Sequence, residues 1–464
     1  MKTIATLLLM LTGLIAFGTH NISGDITYKW VSGYTYEVTV RTFSYDTAAD
    51  RDSIEIDFGD GYRIWTRRTN GPVLNGMHQG ELCLYSHNVK KNLYVARHTF
   101  AGAVPFYVVS VTDPNRIDNI ININGGNSVN IPFYLEDTIR FYDPQYVTPN
   151  NSPKVYSPAI VNGKLSVPLQ YNLTAGDIDG DSLVFELVPP MRSWGVTVPN
   201  YQFPYEVNPS PDVFEIDPIS GTITWDSPQQ IGIYNVAILI TEYRLGRLKM
   251  GTVLHDLQII ITDDLVSTQG NFDSLVFKTT PHITLNIGDT LNVTADFNIG
   301  SVTSQYGLEM YSPLFEWASP DTVRDYSVNK ITGNFVLGID SSLARIQPYI
   351  LTFRGYTNVF GSGTQYHYMT DESLLIYING GKRDTLLSPI PDGIFSSTID
   401  NIDVTVFPNP VSNQLQVRGL NESYTKLKLK IFHTDGKQVN SFNITGNTKI
   451  DVSDLATGLY IYQI

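Results

Sequence analysis

Cysteine is almost missing from this chain: 464 residues contain one, Cys83. A single thiol forms no internal disulfide. It also rules out the zinc and iron–sulfur centres that need several thiolates. Charge is scarce as well. Asp, Glu, Lys and Arg make up 16% of the chain, against about 25% in ordinary soluble domains. The charge present leans acidic, with 31 Lys+Arg against 45 Asp+Glu and a net charge of −14. That balance argues against a nucleic-acid partner, because phosphate binding requires a positive surface. Beyond the N-terminus no apolar run approaches the roughly 18 residues of a spanning helix, so no membrane span is expected. Helical periodicity is nearly absent too. What the chain has is 28 Tyr, 21 Phe and 5 Trp, with Ser, Thr and Asn at the polar positions. This composition favours pleated sheet, and the length suits about three or four domains.

The N-terminus carries an export signal. Lys2 precedes the apolar run 4–17 (IATLLLMLTGLIAF), and small residues follow at Ala16 and Gly18. The run is short for a membrane span of about 20 residues and fits a secretory signal peptide over residues 1–18, cut before Thr19. An exported chain without disulfides fits a bacterial surface.

The body alternates with period two. Residues 34–43 (YTYEVTVRTF), 53–58, 106–111 and 183–187 alternate apolar and polar, whereas 235–241 (NVAILIT) and 257–261 are almost continuously apolar. The first pattern marks strands buried on one face, the second strands buried on both. Turn residues recur at about the 8–12 residue spacing of sandwich folds. The expected fold class is therefore all-β: tandem Ig-like and PKD-like β-sandwiches with a small C-terminal β-sandwich. Pro- and Asn-rich stretches place the divisions at 19–145, 146–264, 265–382, a linker at 383–402, and a final unit at 403–464. The first division falls in 143–158 (DPQYVTPNNSPKVYSP), which carries four prolines and no periodicity.

Three groups of residues carry chemistry or identity. In residues 54–61 (IEIDFGDG) a strand runs into an Asp-Gly turn, and 98–113 (HTFAGAVPFYVVSVTD) follows. This pairing resembles PKD-type sandwiches, in which the turn is structural. Residues 175–183 (AGDIDGDSL) place Asp177, Asp179 and Asp181 on alternate positions, with Gly180 allowing a sharp bend. Such a loop either supplies oxygens to a structural Ca²⁺, which takes about 6–8 of them, or is a solvated acidic turn. The EF-hand pattern fails, since no Glu stands at the twelfth position. With 214–225 (FEIDPISGTITW) and 231–240 (IGIYNVAILI), the loop resembles the Ig-like and cadherin-like modules of bacterial surface proteins. That resemblance implies Ca²⁺ held at the sandwich pole, and it puts Glu242 and Asp263-Asp264 where a further acidic motif is expected. The blocks 20–28 (HNISGDITY), 113–116, 127–134, 150–153 (NNSP) and 242–244 (EYR) together resemble a group of secreted Bacteroidetes proteins.

The last sixty residues contain 404–417 (VTVFPNPVSNQLQV), 427–439 (LKLKIFHTDGKQV) and 450–464 (IDVSDLATGLYIYQI). These blocks resemble the type A C-terminal sorting domain of the type IX secretion system. Pro408, Asn409, Pro410, Gly436, Leu455 and Gly458 match its motif positions, and the type IX machinery is the partner the match implies. The family pattern continues into a short basic tail beyond Ile464, where this sequence stops.

Catalytic signatures are missing. His78, Cys83, His87 and His98 lie close in sequence, but no third group with a known role accompanies them. No G-x-S-x-G, H-E-x-x-H or P-loop occurs. The function expected is a non-catalytic secreted or cell-surface protein that binds a glycan or protein ligand or serves adhesion. The alternative is a carbohydrate-active or other extracellular hydrolase with its site in 265–382.

Overall fold

The computed structural model of the chain describes residues 21–46, 51–83, 89–102, 106–142, 147–208, 213–244, 248–263, 271–272, 282–298, 305–325, 330–361, 364–379, 395–399, 402–407, 413–418, 427–433, 437–444, 448–455 and 460–463. The expected signal peptide lies outside these residues. The fold is all-β. Among the described residues the α-helix is confined to Pro204–Val207, and no helix is long and apolar enough to cross a membrane.

The period-two segments fold as sandwiches because one face of each strand is apolar and must be covered. In the first unit Asn21–Ser32, Thr35–Tyr45 and Val89–Thr99 pair antiparallel. Ser53–Asp57, Arg63–Arg67, Phe106–Asp113 and Phe133–Arg140 form the facing layer. Val38, Val40, Ile56, Phe58, Tyr94, Val109 and Leu135 fill the space between. The Asp-Gly turn of this unit is locked by its neighbours. His98 stacks on Phe58 at 4.3 Å and on Tyr62 at 5.0 Å, and its Nε2 lies 2.7 Å from Asp60 Oδ2.

The second unit grows out of the first. Leu248–Thr262 pairs with Phe133–Arg140 through Asp137↔Val253 and with Asn21–Ser32 through Gly24↔Asp256. Further along, the same strand pairs in parallel with Ile160–Lys164. Its other edge is taken by Gly232–Arg244, which in turn pairs with Ser182–Val188. One 12-stranded sheet therefore runs through both units. A three-stranded layer of Leu169–Asn172, Phe214–Ile216 and Thr222–Trp225 covers the far end, with Trp225, Phe185 and Tyr234 buried beneath it. The Pro-rich stretch 143–158 also differs from a linker where it is described. Asn150, Ser152 and Ser157 are buried, and Ser152 Oγ accepts from Tyr28 N–H at 2.6 Å. Side-chain hydrogen bonds hold 150–152, and only Lys154–Val155 joins a strand ladder, so the segment has no sequence periodicity.

The third unit packs Thr290–Asn298 and Lys330–Gly338 against Arg345–Gly361 and Thr364–Asn379, around Phe297, Phe335, Leu351 and Phe353. It docks on the second unit through polar groups. Arg345 Nη1 donates to Asp177 O at 2.8 Å, and Leu183 N–H donates to Gln347 Oε1 at 3.2 Å. Asn172 N–H donates to Asp371 Oδ2 at 3.0 Å. Asp371 is itself held by Arg354 in a fully buried bidentate pair, both bonds 2.7 Å.

The C-terminal unit is a small sandwich. Ile402–Phe407, Gln414–Arg418 and Thr448–Asp451 form one layer. Leu427–His433, Gln438–Ile444 and Tyr460–Gln463 form the other. Val417, Leu429, Ile431 and Ile450 lie between them. Phe395–Ile399 pairs with Ile402–Phe407, so this unit's sheet begins inside the stretch expected to be a linker.

Candidate metal centre

The acidic loop sits where the three large units meet. Ala175–Gly176 pairs with Lys154–Val155, after which Gly180, at φ 81°, turns the chain back into Ser182–Val188. Gly is required there because other side chains rarely adopt that conformation. The turn is closed by Asp181 N–H donating to Asp177 Oδ1 at 3.0 Å.

The loop separates its three aspartates. Asp177 and Asp181 turn inward and meet Glu242 from the end of Gly232–Arg244. One oxygen from each of the three lies within 4.8 Å of the others, and all three residues are buried. Asp179 stands outside this trio and is exposed, and Arg244 Nη2 also reaches its Oδ2 at 3.4 Å. Its carboxylate accepts from Asn151 N–H at 2.7 Å and from Asn151 Nδ2 at 2.9 Å. The expected trio is thus replaced by Asp177, Asp181 and Glu242, because alternate positions on a bent loop do not share a face. Asp263 is exposed, and Asp264 lies outside the described residues.

The surroundings are unequal. Arg244 grips Asp181 with Nε to Oδ1 at 2.9 Å and Nη2 to Oδ2 at 2.7 Å. The same guanidinium ties down Thr148 O at 2.7 Å and Asn150 Oδ1 at 2.8 Å. Asn150 Nδ2 donates to Glu242 Oε1 at 2.5 Å, and Tyr28 OH donates to it at 3.3 Å. Asp177 Oδ2 and Glu242 Oε2 remain, both buried with no hydrogen-bond partner. Burial, reinforced by Asp181, raises the Asp177 pKa to about 7. Burial, then Asp177 and Asp137, pushes Glu242 well above the carboxylate range. Burial also raises Asp181, against the pull of Arg244, and raises Asp137. One guanidinium among four buried carboxyls leaves an excess of negative charge that protons or a cation must offset. The two orphaned oxygens, on Asp177 and Glu242, are hard donors of the kind Ca²⁺ takes, whereas both oxygens of Asp181 are already held by Arg244.

The histidines noted in the sequence have other partners. His78 Nδ1 lies 3.2 Å from Gly71 O, His98 is engaged by Asp60, and Cys83 is half-buried beside the second unit's core. His87 lies outside the described residues. Of the sorting-motif positions, Leu455 is half-buried against the C-terminal core, and its N–H donates to Val452 O at 3.0 Å. Pro408, Asn409, Pro410, Gly436 and Gly458 lie outside the described residues. Sequence spacing did not reveal Tyr28, Asn150 and Arg244 as neighbours of the acidic cluster. They were visible only as members of the separate blocks 20–28, 150–153 and 242–244.

No curated protein sequence matches the chain. Among solved structures, a marsupial T cell receptor is similar at 12% identity, over 67% of this chain and 99% of that one, with a TM-score of 0.15. The N-terminal four Ig domains of a Dscam1 isoform are similar at 8% identity, over 77% of this chain and all of that one, with a TM-score of 0.16. At these scores the fold description rests on the strand registers above. Residues 405–464 match the family described as the secretion system C-terminal sorting domain. The chain therefore ends in a sorting domain of the type IX secretion system, is handled by that machinery, and is exported to the cell surface or beyond.

Proposed function

We propose that this is a non-catalytic surface or secreted protein whose sandwiches form a stiff support for binding an extracellular glycan or protein ligand. The observation that carries the reading is the exposure of tryptophan. Four of the five, Trp30, Trp65, Trp194 and Trp317, are 38–68% exposed, and Trp225 alone is buried. Tryptophan left in water on a folded scaffold is the residue type most enriched at binding hot spots. The calcium reading belongs to the support. A Ca²⁺ at Asp177, Asp181 and Glu242 would neutralise the cluster and fasten Gly232–Arg244 and the loop 176–181 to one point, with Tyr28 of Asn21–Ser32 joined through its hydrogen bond to Glu242.

Two measurements test this. Arrayed glycans and extracellular-matrix proteins should retain the full chain, while hydrolase substrates should show no turnover. Turnover abolished by a single Asp or Glu substitution would refute the reading. For the ion, Ca²⁺ should raise the melting temperature of the full chain and EDTA should lower it, with the response lost in E242Q. An unchanged melt together with no calorimetric heat on adding Ca²⁺ removes calcium from the account.

A further inference from the structure

The outward side of the acidic loop faces a second feature. A cleft of about 130 Å³ opens between this loop and the third unit, lined by Tyr156, Ile178, Asp179, Glu316, Trp317 and Tyr349 among others. Its lips are apolar side chains left in water: Ile178 is 65% exposed and Trp317 is 45% exposed. Both lips are held in place. Asp179, next to Ile178, is pinned by two bonds from Asn151. Trp317 ends the turn Pro313–Glu316, whose Leu314 is fully buried. That turn is capped by Ser312, whose Oγ accepts from Leu314 N–H at 3.1 Å and donates to Ile350 O at 2.7 Å. Tyr156 OH donates to Glu316 Oε1 at 3.3 Å.

The charges in the walls select the ligand. Asp177, Asp179 and Glu316 outnumber Arg345 in the lining, so the cleft repels an anion. A cation is left only the carboxylates, because the chain's own cations already cover the tyrosine rings. Arg345 lies 3.5 Å over Tyr349 and Lys154 lies 4.8 Å over Tyr156. What remains is an aromatic surface at Trp317 beside carboxylate acceptors. That pairing suits a molecule with an apolar C–H face and several hydroxyl donors. We propose that this cleft binds a neutral pyranose unit of a glycan, stacked on Trp317 and hydrogen-bonded through Glu316. The proposal deepens the ligand-binding reading above and rests on it.

The test uses the full chain in Ca²⁺ buffer. The probes are the methyl pyranosides of glucose, mannose, galactose and N-acetylglucosamine, with lysine methyl ester and methyl phosphate, which also carry C–H protons, as charged comparisons. Saturation-transfer NMR should show contact to the ring C–H protons of at least one sugar and to neither charged probe. W317A should weaken that binding at least tenfold, and E316Q several-fold, with melting temperatures near that of wild type because both side chains are exposed. Binding by none of the four sugars, binding only by a charged probe, or sugar binding unchanged in W317A overturns the proposal. Binding of arrayed glycans or proteins that persists in W317A sinks the cleft alone and leaves the wider reading standing.

Discussion

Asp25 shows at the residue scale how this fold places charge in its interior. It is fully buried, directly opposite His255, whose Nδ1 lies 2.9 Å from Asp25 Oδ2. Arg41 reaches it with Nε at 3.1 Å and spends Nη1 on Val155 O at 2.8 Å, so the pair also fixes the approach of the second unit. Burial alone would raise the Asp25 pKa, but Arg41 and His255 outweigh it and hold the carboxyl near a pKa of about 2. A folded-state pKa below the ordinary value of 3.8 contributes stability that is complete above that value and is lost as pH falls through the folded one. The shift corresponds to about 2 kcal/mol. The stability difference between wild type and D25N, measured by urea unfolding, should be full near pH 5 and shrink by about 2 kcal/mol toward pH 2. A difference that stays constant over that interval would mean the ion pair adds nothing to folding.

Among elements, the hairpin of Gly232–Arg244 and Leu248–Thr262 decides most. Its near-continuous apolar sequence was legible as strands buried on both faces, and the structure agrees: Val236 and Ile238 are buried on one face and Ala237 on the other, as are Leu257 and Gln258 on opposite faces of the partner strand. Its length was the part that could not be read. Apolar periodicity reports burial and says nothing about which unit does the burying, so one strand serving two cores looks like an ordinary core strand. The same limit hid the metal centre. Asp177 and Asp181 were visible from the loop pattern, whereas the side chains completing their surroundings come from blocks 92 and 214 positions away from Glu242, at Asn150 and Tyr28. Gly251 marks the crossing point. It pairs with both Ile139 and Glu242, and a Cβ there would meet Glu242 Oε1 and the Thr138 carbonyl. G251A should therefore cost about 1–3 kcal/mol through overpacking and blunt the calcium response in the same sample. A variant with wild-type stability and response would show that the strand can shift to make room.

On the scale of the whole molecule, two kinds of connection coexist. The first three units share sheets or buried polar contacts, and the Arg354–Asp371 pair is the clearest case. Removing one partner of a buried pair strands the other charge at a cost of about 3–5 kcal/mol. D371N should therefore lower the main calorimetric transition well beyond any effect on the C-terminal unit. That last unit has its own core, and its described strands pair only with one another. Two independent cores predict two transitions, with a chain ending at Asn379 keeping the larger and losing the smaller. The same truncation tests the division of labour. Residues 405–464 match the sorting domain, and the cores of the body are built from residues outside them. The truncated chain should therefore accumulate inside the cell envelope, protease-resistant and with an unchanged main transition, while the full chain reaches the surface or medium. Truncated protein that still arrives outside would move the sorting information into the sandwiches. Truncated protein that arrives nowhere and is degraded would mean the body needs its tail to fold.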